Sequence, residues 1–241
     1  MENNPLMKIE QSVPSTVSNN ASTEPLFTTR LQLLQNLSTT ITGWKAEDNP
    51  GINKPEPGEF WLGPPGGQCL KKEFHAICIS WRDHALQLRN SETVCESYIS
   101  PPKGVPPKNV DEQIFAKVSG LPKQSKDEKG RPLTNMWGKD VLFWVPDYQK
   151  FAIMFFHSTA RPCAANAFVA RGKLLVVRSQ FVETQSFSWY TPEIAVYSKA
   201  IEAGSIKLPN EAEVKEEMTK FLNPNPRGEG RESTTEEGRV R

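Results

Sequence analysis

The sequence predicts a mainly β (α+β) domain, an OB-like antiparallel Greek-key barrel with one helix between strands 3 and 4 and further helices at its flanks. Two observations predict it. Between residues 73 and 197 the chain carries five apolar runs rich in β-branched and aromatic residues, each closed by turn residues. A single Ala-rich helical segment follows the third run, which is the element order of the small barrel that binds oligonucleotides and oligosaccharides. The chain divides accordingly. Residues 1–56 are expected to be a disordered N-terminal segment with a short helix near 28–41. Residues 57–200 form the barrel domain, and 201–241 a C-terminal helix (210–222) and a disordered tail.

Each element has its own reason. Residues 1–25 are rich in Asn, Ser, Thr and Pro and offer little to bury. Leu31, Leu34, Leu37 and Ile41 recur at helical spacing, and Gly43 closes that pattern. Pro50, Pro55, Pro57 and Gly58 mark 49–58 as a linker. The domain opens at Phe60-Trp61. Phe74 to Trp81 reads as a strand, Ala85 to Leu88 as its continuation or partner, and 94–99 as a further strand. Ser100 to Lys108 is Pro-rich, and Ser119 to Lys139 is polar and basic with Gly120, Pro122, Gly130 and Pro132 as breakers, so both are expected to be irregular loops. Long loops within a domain are commonly functional or disordered.

Val141 to Val145 and Phe151 to His157 are strands joined by a hairpin-length connection. Ser158-Thr159 supplies an N-cap for a helix over 160–169 closed by Gly172, with Pro162 where Pro is tolerated. Strands over 173–184 and 187–197 follow, the second broken at Pro192. Asn210 to Leu222 reads as a terminal helix stopped by Asn223-Pro-Asn-Pro.

Composition narrows the classes of function. Hydrophobic residues make up 37% and Pro numbers 20 in 241 residues, which fits a modest core with long irregular segments. The formal net charge is +1, yet residues 57–210 carry 19 Lys/Arg against 14 Asp/Glu, so the domain is mildly basic and suits a polyanionic partner. The four Cys include no C-x-x-C pair and no His at ligand spacing, which argues against zinc and for reduced, buried or half-buried thiols. No apolar run is long enough to span a membrane. The first thirty residues lack a signal-like pattern, so a cytoplasmic location is expected.

Binding of single-stranded nucleic acid needs aromatic platforms for bases beside cations for phosphates. Six Trp are present, several near a cation. Trp81 stands beside Arg82. Trp137 lies in the basic loop with Lys126, Lys129, Arg131 and Lys139. Tyr148 is near Lys150, and Trp189-Tyr190 forms a late aromatic pair. Arg161, Lys173 and Arg178 are further candidate phosphate contacts, whereas Trp144 and Phe155 lie in apolar strands and read as core. Catalytic patterns fare poorly. Gly63-Pro-Pro-Gly-Gly67 lacks the arrangement of a phosphate-cradling loop and reads as a turn cluster. His75, His84 and His157 belong to no metal motif, a Cys163–His157 pair has no third orienting group, and Asp140 with Asp147 imitates a nuclease pair only in outline. No cofactor and no metal is expected.

Two stretches carry a family resemblance. One is Phe74 to Leu88, with Trp81-Arg82 followed by Ala85-Leu86. The other is Pro146 to Tyr190, in the order strand, Ser158-Thr159, helix, strand and the late Trp189-Tyr190. Together they resemble uncharacterised proteins of tailed bacteriophages thought to act as OB-fold single-stranded-DNA-binding proteins, over about residues 58–197. The resemblance implies sequence-tolerant binding of single-stranded DNA in phage-type replication or recombination, in the host cytoplasm, with replication proteins or self-association as further contacts. The chain departs from many such binders in ending Glu236-Glu237-Gly-Arg-Val-Arg, without an acidic tail capped by an aromatic residue. The competing expectation is a non-enzymatic structural or assembly protein of a virus.

Overall fold

Among the described residues ten strands make one mixed sheet. In chain order they are β1 (Thr29–Leu33), β2 (Phe60–Leu62), β3 (Gln68–Cys69), β4 (Glu73–Arg89), β5 (Glu92–Ile99), β6 (Gln124–Lys126), β7 (Pro132–Val145), β8 (Lys150–His157), β9 (Leu174–Glu183) and β10 (Ser188–Val196). Helix α1 spans Thr39–Thr42, α2 Arg161–Val169 and α3 Glu211–Leu222. This computed structural model describes residues 29–63, 67–90, 92–99, 117–199 and 206–222, so the expectations for 1–25, 100–108 and the tail lie outside the described residues.

The strand order is β10-β9-β4-β7-β8-β1-β2-β3, with β5 beside β4 and β6 beside β7. The path has two ends, so the expected closed barrel is replaced by an open sheet. Nor is it wholly antiparallel, because β1 runs parallel to β8 while pairing antiparallel with β2. The chain forms two compact units. The first holds the described residues up to Asp83, Gly138 to Lys199 and Ile206 to Leu222; the second holds His84–Ile99 and the described part of 104–137.

In the first unit the sheet is buried on both faces, which is why its central strands read as continuous apolar runs rather than alternating ones. One face carries Phe74, Ala76, Cys78, Val141, Phe143, Val145, Ala152, Met154 and Phe156, packed with Ala164, Ala167 and Ala170. Those alanines let α2 lie close to the strands. The other face carries Ile77, Ile79, Leu142, Trp144 and Ile153, covered by Val214, Met218 and Phe221 of α3. A reciprocal capping box starts α3. The Glu213 N–H donates to Asn210 Oδ1 (2.8 Å) and the Asn210 N–H to Glu213 Oε2 (3.1 Å). Trp144 Nε1 donates to the Lys207 carbonyl at 2.8 Å and ties down the approach to the helix.

The N-terminal expectation needs correction. Within the expected helix 28–41, the described residues 29–41 form not a helix but strand β1 followed by the single turn α1. Thr29 and Leu31 are buried and Arg30 and Gln32 exposed, a period of two that pairing with β8 and β2 enforces over the helical spacing of the leucines. Leu37, which a helix would have buried, is 86% exposed. The domain therefore begins before residue 57, and 49–58 is no free linker, since Pro55 and Gly58 are buried. Ala85 to Leu88 continues β4 as one strand.

The expected basic loop 119–139 is also corrected: β6 and the start of β7 form a hairpin. Asp127 closes its turn, taking the N–H groups of Lys129 (2.9 Å) and Arg131 (2.8 Å) on Oδ1. Ser158-Thr159 enters a 3-10 turn with no side-chain cap, and α2 starts after it.

Candidate nucleic-acid interface

Strands β9 and β10 form a hairpin whose end is aromatic. Tyr190 stands opposite Phe181 and Trp189 opposite Val182 in the register, so the two aromatics of β10 point to opposite faces. Tyr190 meets Phe181 at 5.1 Å between ring centroids, and Trp189 meets Phe187 at 5.5 Å. Phe187 is 66% and Phe181 51% exposed, large apolar rings that a folded chain normally covers. The turn is held by Thr184, whose Oγ1 donates to the Phe187 carbonyl at 2.7 Å and whose N–H bonds the same carbonyl at 2.9 Å. The ring of Tyr190 lies against the backbone of Gly58, where a Cβ would come within 2.5 Å of it. Trp189 Nε1 is buried without a hydrogen-bond partner.

A second cluster in the same unit joins Trp81 and Lys139. Trp81 stacks on Phe168 of α2 at 4.6 Å, and the Lys139 ammonium sits 4.3 Å from the Trp81 ring. Lys139 also pairs with Asp83. A cation over an indole face is attracted to it, so Trp81 is engaged from within the protein by both Phe168 and Lys139.

Arg82 overturns a sequence expectation. It is buried, donates to Asp140 Oδ2 from Nε (3.1 Å) and Nη2 (2.9 Å), and its Nη1 donates to the Phe221 carbonyl at the end of α3. Such a guanidinium is a structural tie and does not reach a phosphate. The cause is a phase shift in β4. Ile77 and Ile79 face α3, and strict alternation would send Trp81 there too. Trp81 instead joins the α2 face, and Arg82 takes the α3 side, as a bulge produces.

The remaining predicted residues are dispersed. Arg178 Nε pairs with Glu73 at 2.7 Å, both side chains about half exposed. Arg161 opens α2 and donates from Nε to the Ser158 carbonyl at 3.2 Å, while Lys173 is exposed in the turn before β9. Tyr148 is half-buried, donates to the Cys69 carbonyl at 3.4 Å and, with Lys150, lines an open cleft. Lys126, Lys129, Arg131 and Trp137 belong to the second unit, where Trp137 is 39% exposed and Arg131 is held by Asp127 at 2.7 Å. The same unit buries His84, which stacks on Tyr98 at 4.5 Å with Nε2 3.1 Å from Glu96 Oε1. Trp144 is core, as expected, whereas Phe155 is half-buried. Sequence reasoning missed Phe181 and Phe187. The signal was Phe187-Ser-Trp-Tyr directly after a polar turn, with Phe181 as its cross-strand counterpart.

Among the described residues, the groups the sequence singles out for catalysis do not converge. Asp140 is locked to Arg82, and Asp147 lies 3.7 Å from His75 on the surface. Cys163 donates to the Pro192 carbonyl at 2.8 Å, and burial holds its thiol above the ordinary range, so it rests protonated. Among the described residues no cluster of His, Cys, Asp and Glu is placed to hold a metal, and no helix is long and apolar enough to cross a membrane. Comparison with family models, with curated proteins and with solved structures returns no match.

Proposed function

We propose that this chain is a non-catalytic, sequence-tolerant single-stranded-DNA-binding protein, and that the β9–β10 hairpin is its stacking element. The observation that carries the reading is the pair of exposed rings, Phe181 and Phe187, each backed by a second aromatic, Tyr190 and Trp189. A backed, exposed ring is a surface on which a base stacks without sequence preference. The order of β4, β7, β8, α2, β9 and β10 supports an OB-like lineage, although the sheet is open. Phage-type replication or recombination, in the cytoplasm of a host, is the setting this reading fits.

Titrating the full chain with oligo-dT tests the reading. Intrinsic tryptophan fluorescence is expected to quench, with an affinity that falls steeply as salt rises. No quenching and no mobility shift at low salt refutes it. The same exposed rings suit a protein contact, which is the second reading, a structural or assembly protein. Light scattering separates the two: a stable oligomer that disperses on Phe187→Ser, with no strand binding, favours assembly.

A further inference from the structure

We infer that the cleft beside Tyr148 is a nucleotide site, which takes a phosphate on Lys54, Lys71 and Lys150 and a hydrogen-bond donor of the sugar or base on the side-chain oxygen of Gln68. This deepens the proposed function and rests on it in one respect, that the nucleotide is a unit of a bound strand.

The cleft has a volume of about 760 Å³, the size range of small-molecule sites. Its three lysines make no ion pair among the described residues. Two carboxylates share the walls, but Glu59 is turned onto the chain. Its Oε2 takes the Glu56 N–H at 2.7 Å and the Cys69 thiol at 3.1 Å. Burial, then the Lys71 N–H in opposition, then Glu59 leave that thiol at a pKa of about 11, so no thiolate competes for the lysines.

Two features mark the walls as built for a purpose. Lys71 (φ 60°) and Gln149 (φ 49°), the latter between Tyr148 and Lys150, both hold left-handed backbone that residues other than Gly seldom adopt. Such conformations persist where the surroundings over-determine them, often at ligand sites. Gln68 lines the cleft, and its side-chain oxygen is shielded from solvent with no donor. Buried polar atoms nearly always have a partner, and this one has none within the protein. The cleft also adjoins the aromatic hairpin. Glu56 and Glu59 line it on either side of Gly58, whose backbone carries the Tyr190 ring.

The test uses the full chain, dye-labelled oligo-dT followed by anisotropy across a salt series, and free dTMP followed by calorimetry. The variants are Lys54→Gln/Lys71→Gln/Lys150→Gln, the double Lys54→Gln/Lys150→Gln that spares the left-handed position, and Gln68→Leu, each checked for an unchanged melting temperature. With about 0.7 lost from the log–log salt slope per phosphate neutralised, the triple variant, which gives up the one phosphate of the cleft, is expected to flatten the slope by about 0.7 and weaken binding by at least ~10-fold. Gln68→Leu is expected to weaken binding with the slope unchanged. Strand binding by the wild type that both multiple variants retain in full overturns the cleft and leaves strand binding standing. Binding of dTMP alone, lost in the variants, supports the cleft and overturns strand binding. Binding of neither probe overturns both.

Discussion

The side-chain amide of Gln35 is bonded to both main-chain groups of Tyr190: Nε2 donates to the carbonyl at 2.9 Å, and the Tyr190 N–H donates to Oε1 at 2.8 Å. A side chain here plays the part of a neighbouring strand, fixing the aromatic end of β10 against the segment that follows β1. Gln35→Leu removes both bonds. It is expected to destabilise the chain by about 1–3 kcal/mol, read as a fall in the urea midpoint with an unchanged slope. Gln35→Glu keeps the acceptor and loses the donor, so it is expected to fall between the two.

Gly58 is the other side of that clamp. Its φ of 85° is left-handed, and a Cβ would intrude on the Tyr190 ring. Gly58→Ala is expected to cost more than about 1 kcal/mol of stability and to loosen Tyr190, seen as faster amide exchange at 188–191.

Arg82 and Asp140 separate structure from binding. Asp140→Ala leaves a buried guanidinium without its carboxylate and is expected to destabilise the fold by about 3–5 kcal/mol, whereas Arg82→Met with Asp140→Leu recovers most of the loss. Folded protein from the double variant is expected to bind oligo-dT as the wild type does. A selective loss of affinity at full stability would instead restore Arg82 as a phosphate contact.

Thiol chemistry gives a check that needs no ligand. Burial alone pushes Cys78 to about 12, and Cys69 stands at about 11. The thiolate is the reactive form, so alkylation of both in the folded chain is expected to be far slower at pH 8 than that of an ordinary exposed cysteine, and the Cys69 rate to climb until about pH 11. Peptide mapping after a timed iodoacetamide pulse reads each site separately. Rapid labelling of Cys69 at neutral pH would contradict the packing around Glu59.

Much of the sheet was legible because burial on both faces leaves long apolar runs, as in Val141 to Val145 and Phe151 to Phe156. Helix α2 was legible from its Ala-rich run and α3 from the Asn210–Leu222 segment and the Asn223-Pro-Asn-Pro stop after it. What stayed hidden has particular causes. The start of β7 buries Asn135, bonded to the Pro122 carbonyl and Ser125 Oγ, and Gly138, so its alternation is not written in hydrophobic residues. β1 satisfies two periods at once, and only its partners decide between them. The phase shift between Ile79 and Trp81 decides which of two adjacent residues is buried, and no local pattern marks it. At the site, Trp189 and Tyr190 were legible as aromatics, but their partners Phe181 and Phe187 emerge only from the cross-strand register.

Photo-cross-linking of oligonucleotides carrying 5-bromodeoxyuridine, with the attachment sites mapped by mass spectrometry, tests the stacking hairpin most directly. The account predicts adducts on Phe181, Phe187, Trp189 or Tyr190, and a loss of about 1–3 kcal/mol per stacked base in Phe187→Ala and Phe181→Ala. Adducts confined to the second unit around Trp137, or a Phe181→Ala/Phe187→Ala double variant that binds as tightly as the wild type, would contradict it.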